Sequence, residues 1–321
     1  LMNVVIRADA SLYIGSGHVM RCLTLAKLLR IKGHFVSFAC RPQQGDLIDV
    51  ILSHDVDVIY LDPVSHEKTP IHESDYLGWL QRSIQDDVND FVNRVVQADM
   101  VITDHYAIGL EWQQKVRAKL GSKIVAIDDL VRDHDADIII DQTLGRSSKE
   151  YSGVQRVLAG SLYALLKPEF SLLREQAFER SSPKKLLKVL VSMGGVDSFN
   201  STLKVVKLLS FESNVIVTVL LSSRAPHYSS VASYCDNFIN IRHLDFVEDM
   251  ATLMLEHDIA IGAPGSTSWE RACLGLPSVI IPLAENQRFI SQQLVKHNAS
   301  VIVELSQIDS LFLSAYQKVK N

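Results

Sequence analysis

Short apolar runs rich in valine and isoleucine alternate along the chain with stretches in which apolar residues recur every three to four positions. That alternation predicts β-strands joined by α-helices, and so a parallel α/β architecture. The opening is the clearest case. Val4-Val5-Ile6 enters a turn flanked by Gly15 and Gly17, and Met20, Leu23, Leu25, Ala26, Leu28 and Leu29 then supply a helical stripe. Further strands are expected at 34–40, 56–61, 100–103, 123–127, 137–140 and 157–160. Helices are expected at 46–52, from the end of the polar loop 62–74 through Val95, and at 170–178. A charged linker, 179–185, then leads to a second half that repeats the layout. Its opening strand and glycine turn span 187–195, and Asn200 or Ser201 can cap the helix that follows while Asp197 fixes the turn. Strands at 215–221, 240–244, 259–262 and 277–282 follow, and the segment after Leu305 reads as short and polar. The pattern predicts two Rossmann-like domains, 1–167 and 168–321.

Length agrees, because 321 residues are long for one core and comfortable for two. A net charge of −5 gives no general attraction to nucleic acid or anionic lipid, so any phosphate must be held locally by helix ends and a few side chains. No apolar run reaches the 18 or so residues of a membrane span, and the first residues enter a strand without a signal-peptide pattern, so a cytoplasmic protein is expected. Cys22, Cys40, Cys235 and Cys273 lack CxxC spacing and read as reduced packing residues.

Open parallel sheets bind ligands beyond the carboxyl ends of their strands, beside helix N-termini whose free N–H groups favour anions. His18 falls at such a helix start. In one reading Gly15 and Gly17 permit a tight turn and the imidazole is a solvated or capping side chain. In the other the glycines clear room for a phosphate-bearing ligand, and His18 is a general base kept neutral by the positive helix end. The dinucleotide fingerprint is absent: the third glycine is missing, and no acidic residue stands about 20 residues on, at Lys32 to Val36.

Polar residues repeatedly close the strands. Asp104-His105-Tyr106, Asp128-Asp129 and Asp141 do so in the first half, most of them as expected loop caps, with Tyr106 the candidate for reaching a ligand near His18. Strict EF-hand spacing is absent and no metal is expected. In the second half Gly265 allows close backbone approach, Ser266 and Thr267 bring hydroxyls and N–H groups to a helix start suited to a diphosphate, and Glu270 lies one turn in, where it could accept both hydroxyls of a ribose. A capping box fits that spacing too, but leaves the exit loop from Pro282 to Gln287 unexplained.

Taken together, the motifs resemble known families. Gly265-Ser266, Glu270, Gly275-Leu276-Pro277, Pro282 and Asn286-Gln287 resemble the nucleotide-sugar half of the peptidoglycan N-acetylglucosaminyltransferase family. Arg7 to Ser11, Ile14 to Cys22, Asp104-His105-Tyr106, Asp128-Asp129 and Met193 to Asp197 resemble the UDP-2,4-diacetamido-2,4,6-trideoxy-β-L-altropyranose hydrolases of pseudaminic acid biosynthesis, a step toward flagellin glycosylation. The resemblance implies a glycosyltransferase-B-type fold, two Rossmann-like domains with parallel sheets facing a cleft. It implies that His18 activates water, that Tyr106 and Asn286 line the sugar and diphosphate, and that Gly194, Gly195, Ser266, Thr267 and Glu270 match the uridine and phosphate cradle; Gly15, Gly17, Asp197, Gly265 and Gln287 are further substrate-binding candidates. Lys167 replaces what is often arginine, keeping the charge without the bidentate fork. UDP is a good leaving group, so one base suffices where glycosidases typically use two carboxylates. The expected partner is a UDP-sugar; no cofactor, metal, nucleic acid or membrane insertion is expected, and the chain is expected to be a monomer. Three other readings stand beside this one: transfer to an acceptor other than water, which needs an acceptor pocket; a hydrolysing UDP-N-acetylhexosamine 2-epimerase, which needs additional acid/base carboxylates; and a nucleotide-sugar sensor.

Overall fold

The valine- and isoleucine-rich runs form two separate all-parallel sheets, one in each of the units Leu1–Leu165 and Leu166–Asn321 into which the chain divides. The computed structural model describes residues 1–180 and 185–320. Residues 181–184 of the expected linker lie outside the described residues, and the remainder of that stretch follows a helix of the second unit.

In the first unit β1 (Asn3–Ala8), β2 (Phe35–Cys40), β3 (Asp57–Tyr60), β4 (Met100–Asp104), β5 (Lys123–Ile127), β6 (Ile138–Asp141) and β7 (Arg156–Ala159) stand in the order β3-β2-β1-β4-β5-β6-β7. Helices α1 (Gly17–Ile31), α2 (Ile48–Ser53), α3 (Tyr76–Leu80), α4 (Ile84–Arg94) and α5 (Leu110–Leu120) connect them. The sheet is covered on both faces, as a parallel sheet must be. Alternate residues of β1 divide between the two layers. Val4, Ile6 and Ala8 join Val19, Cys22, Leu23 and Ala26 of α1, while Val5 joins Phe91 of α4 and Trp112 and Val116 of α5.

Arg7 faces the second layer, fully buried, and its charge is met there. Its Nη2 lies 2.7 Å from Asp87 Oδ1 and its Nη1 2.7 Å from Asp9 Oδ1; Arg41 Nη2 donates to the same Asp87 oxygen at 2.6 Å, and Trp112 Nε1 to Oδ2 at 2.9 Å. Burial by itself would raise the Asp87 carboxyl, but the charges and hydrogen bonds of Arg7 and Arg41 outweigh it and hold the group well below the usual carboxylate range. The Arg7-Ala8-Asp9 motif is thus part of the packing beneath the site.

In the second unit α6 (Pro168–Phe178) precedes β8 (Leu187–Ser192), β9 (Val215–Leu220), β10 (Ile241–Leu244), β11 (Ile259–Gly262), β12 (Ser278–Ile280) and β13 (Ser300–Ile302), ordered β10-β9-β8-β11-β12-β13. Helices α7 (Ser201–Leu209), α8 (Tyr228–Cys235), α9 (Met250–Leu255), α10 (Thr267–Cys273), α11 (Arg288–Lys296) and α12 (Ile308–Lys320) complete it. Val189 and Val191 of β8 pack with Val205, Val206 and Leu209 of α7 on one face; Leu190 faces Phe170, Ala251 and Leu274 on the other.

Several expectations need correction. The single helix expected to run through Val95 is two, because Gln81 takes a left-handed conformation (φ 65°) that ends α3, and Ser83 Oγ accepts from Asp86 N–H to start α4. The segment after Leu305 is neither short nor merely polar: Ile308, Phe312, Ala315 and Tyr316 form an i, i+4 stripe that α12 buries in the core of the second unit. Strand β13 went unpredicted. The four cysteines are free thiols, and among the described residues no helix is long and apolar enough to cross a membrane.

Candidate active site

In each sheet the order reverses direction between two strands, β1 and β4 in the first and β8 and β11 in the second. Loops leaving the carboxyl ends of such a pair diverge and leave a crevice. The candidate residues stand on these loops, except Asn286 and Gln287, which follow the next strand, β12.

In the first unit Ala8 of β1 pairs with Asp104 of β4. The chain leaving β1 closes a turn in which Gly15 N–H donates to Ser11 O at 2.9 Å, with Gly15 at φ +77°, where a side chain would be strained. Gly17 then opens α1 and carries His18 above the end of β4. His18 is not a cap. Its Nδ1 lies 2.6 Å from Asp104 Oδ1, and Arg21, one turn on, grips the same carboxylate from Nε at 2.6 Å and Nη2 at 2.7 Å. Arg21 Nη1 reaches Asp129 Oδ2 at 3.1 Å, and the Cys22 thiol donates to Asp104 Oδ2 at 3.4 Å.

Asp104 is 1% exposed. Burial pushes its carboxyl up, yet the Arg21 charge, with His18 and the hydrogen bonds of both, holds it well below the usual range. An ionised carboxylate only accepts, so the 2.6 Å contact makes His18 Nδ1 the donor, and in the neutral imidazole Nε2 is then the nitrogen that carries the lone pair. The alternative, Arg21 Nη2 donating to Nδ1, is a contact of 3.4 Å and loses to the shorter charge-assisted bond. The Tyr106 ring stands edge-on to the imidazole, centroids 4.6 Å apart and planes at 85°. His105, the neighbouring histidine, is no rival base. Its Nδ1 accepts from Ala107 N–H at 3.0 Å, and burial brings its pKa down to about 3.

Asp104 is the candidate residue that the strand-ending pattern presented and capping logic set aside. Its neighbours do cap: Asp128 accepts from the N–H groups of Leu130 and Arg132, and Asp141 from that of Thr143. Strand order was the missing signal, since it is the pairing of β4 with β1 that brings the acidic end of β4 under the helix that starts after β1.

In the second unit Gly262 of β11 pairs with Ser192 of β8, and a Cβ at Gly262 would lie 2.4 Å from Ser192 O and 2.7 Å from Arg271 Nη1. Close approach thus belongs to Gly262, whereas Gly265 has nothing within 4 Å of a Cβ and fronts open space. Gly194, at φ +92°, also fronts open space; Gly195 follows it in the same turn. Asp197, with φ 43°, accepts from Ser201 N–H at 2.9 Å and Thr202 N–H at 2.7 Å, so it anchors α7 where Asn200 or Ser201 was expected to do so. Asn200 Oδ1, Ser201 Oγ and Thr202 Oγ1 are buried in this turn without a hydrogen-bond partner among the described residues.

Ser266 and Thr267 start α10, and Thr267 Oγ1 accepts from Arg271 Nη1 at 3.3 Å. Glu270 is half-buried, with no side-chain hydrogen bond among the described residues. Burial raises its carboxyl to about 7, against the pull of Arg271 and Lys167. Lys167 itself donates to Glu248 O at 3.2 Å. Asn286 and Gln287 occupy a 3-10 turn after β12, where Gln287 Oε1 accepts from Leu283 N–H at 2.8 Å and holds the exit loop. The loops after β8, β11 and β12 share one rim, because those strands are neighbours. Among the described residues no three His, Cys, Asp or Glu side chains converge as metal ligands would.

Residues 188–317 match the glycosyltransferase family 28 C-terminal domain. A UDP-2,4-diacetamido-2,4,6-trideoxy-β-L-altropyranose hydrolase of Campylobacter jejuni subsp. jejuni is 27% identical over 306 residues, covering 94% of this chain and 98% of that protein. The spore coat polysaccharide biosynthesis protein SpsG of Bacillus subtilis is 23% identical over 317 residues, 96% of this chain and 85% of that protein. The crystal structure of Acinetobacter baumannii MurG superposes with a TM-score of 0.61 at 17% identity, covering 98% of this chain and 91% of the other. By fold the chain is of the glycosyltransferase-B type, residues 188–317 of its second unit match the glycosyltransferase family 28 C-terminal domain, and along nearly its whole length it is similar to a UDP-sugar hydrolase.

Proposed function

We propose that the protein hydrolyses a UDP-linked 2,4-diacetamido-2,4,6-trideoxy-L-altrose to the free sugar and UDP, as the name of the Campylobacter jejuni relative describes for that protein. The observation that carries the reading is the His18–Asp104–Arg21 constellation at the switch point of the first sheet. Asp104 holds Nδ1–H, so Nε2 takes a proton from water as the water oxygen attacks the anomeric carbon from the face opposite UDP. The sugar C–O bond breaks with inversion, and UDP leaves with the electron pair. Asp104 then stabilises the imidazolium, as a carboxylate does behind a catalytic histidine. No general acid is needed for so good a leaving group.

We assign the grip on UDP to the second unit. Gly194, Gly195, Gly265, Ser266 and Thr267 present backbone and hydroxyl groups to the diphosphate, and Glu270 accepts from the ribose hydroxyls. Asn286 faces the sugar and diphosphate, with Gln287 shaping its loop, and Tyr106 forms the wall beside His18. The reading places the reaction in the cytoplasm, in line with four unpaired thiols, and in pseudaminic acid biosynthesis without a catalytic metal.

Incubating a panel of UDP-sugars in H2(18)O, with and without chelator, tests it. UDP release, an inverted anomer by NMR and label in the sugar are expected; label in UDP, release that stops with chelator, or deuterium exchange at the sugar C2 in D2O would overturn it. His18→Asn is expected to keep UDP affinity and lose roughly 10²- to 10⁴-fold in turnover, the range for a positioned base.

A further inference from the structure

Arg132 has no part in the reading above, yet the fold goes to some length to present it. Val131, just before it, sits at φ 57°. A β-branched residue in the left-handed region is strained, and such a conformation persists only where its surroundings over-determine it, commonly beside a functional site. Here the surroundings are visible. Asp128 Oδ2 accepts from Arg132 N–H at 2.8 Å, and Val131 packs on Ala126, Ile139 and Tyr151.

The turn delivers a guanidinium to the loop that follows β4. Arg132 Nε donates to Asp128 Oδ1 at 2.9 Å, which fixes the plane of the fork. Its Nη1 then meets the carbonyls of Tyr106 at 2.7 Å and Ile108 at 3.0 Å, with that of His105 at 3.4 Å, and the guanidinium carbon lies 5.7 Å from the centre of the Tyr106 ring. On its other sides the same ring is packed by Tyr76 and Trp79 of α3, at 4.9 and 5.6 Å, and by His18. One hydrogen bond to Asp104 leaves the imidazole free to pivot about that bond; the Tyr106 edge removes the pivot.

We propose that Arg132 is a positioning residue for the hydrolysis: it clamps the Tyr106 and Ile108 carbonyls and so locks the Tyr106 ring against His18, aiming Nε2 at the attacking water. The inference rests on the hydrolase reading for its kinetic consequence and on geometry alone for the clamp. Lysine cannot replace arginine here, because an ammonium has no planar fork to bond Asp128 and two carbonyls at once.

The test is a double-mutant cycle on the full chain with Arg132→Ala, Arg132→Lys and Tyr106→Ala, each checked for folding by its melting temperature. Both Arg132 variants are expected to lower kcat roughly 10- to 100-fold, the cost of a misplacement near 1 Å, with KM and UDP affinity within about threefold. Arg132→Ala added to Tyr106→Ala is expected to slow the enzyme no further. Independently of turnover, the His18 ring protons should lose the ring-current shift of Tyr106 in Arg132→Ala as they do in Tyr106→Ala. Multiplying kcat losses, a fully active Arg132→Lys, or unchanged His18 ring signals would overturn the clamp. A wild-type chain that releases no UDP from any UDP-sugar would defeat the hydrolase reading instead, and the ring signals would still decide the clamp.

Discussion

Replacing Asp104 by asparagine changes one atom and removes the charge behind His18. The carboxylate takes four donors: Arg21 Nε and the Cys22 thiol on Oδ2, Arg21 Nη2 and His18 Nδ1 on Oδ1. An amide has one accepting oxygen, and its NH2 must face an Arg21 donor whichever way it turns. The imidazolium formed on proton transfer also loses its anion. At a separation of ~4 Å and an effective dielectric near 20 that attraction is worth ~4 kcal/mol, about 10³-fold in rate. Where the amide presents NH2 to Nδ1 the tautomer reverses as well, and the loss approaches ~10⁴-fold. Arg21 is left with Asp129 alone, so a destabilisation of about 3–5 kcal/mol is expected, as for any buried ion pair broken on one side.

The assay is single-turnover UDP release at a temperature where the melting curve shows the variant folded, with UDP affinity measured on the same sample. Nitrogen-15 shifts of His18 report the tautomer directly. Wild-type protein should show Nδ1–H. A folded Asp104→Asn variant with kcat within about fivefold of wild type would refute the assignment of Asp104 as the group that orients and charges the base.

Other expectations follow from the same geometry. The Glu270 carboxyl, raised to about 7 by burial, is the better acceptor for ribose hydroxyls when ionised, so UDP binding should tighten as pH rises from 6 to 8 by up to about tenfold; calorimetry on Glu270→Gln should show that component gone and only the titration of the nucleotide left. Asp87 has its folded pKa below the unfolded value, so its contribution is fully present above the ordinary carboxylate range and fades as pH falls through the lowered one. Asp87→Ala should cost about 3–5 kcal/mol at pH 7 by urea denaturation, with the gap narrowing in acid. Gly262→Ala would set a methyl 2.4 Å from Ser192 O and should lower the unfolding free energy of the second unit by about 1–3 kcal/mol, read by urea denaturation.

The sequence by itself determined every strand but β13, the repeated strand–turn–helix opening, and the position of His18 at the head of α1. These are local properties: a two-residue or 3.6-residue apolar period and a pair of glycines act within one element, so a single stretch suffices to read them. Arg132 and the break at Gln81 escaped notice because the first depends on a strained turn and the second on one backbone dihedral, neither of which has a periodic signature. The stripe of α12 is local too, but Ser310, Ser314, Gln317 and Lys318 interrupt it and mask its period. Tertiary structure alone decided that Asp104, 86 residues from His18, stands beneath it. That pairing exists because β4 returns to lie against β1 while β2 and β3 run off the other side, an order set by how helices cover both faces of a parallel sheet, and no stretch of either partner's own sequence encodes it.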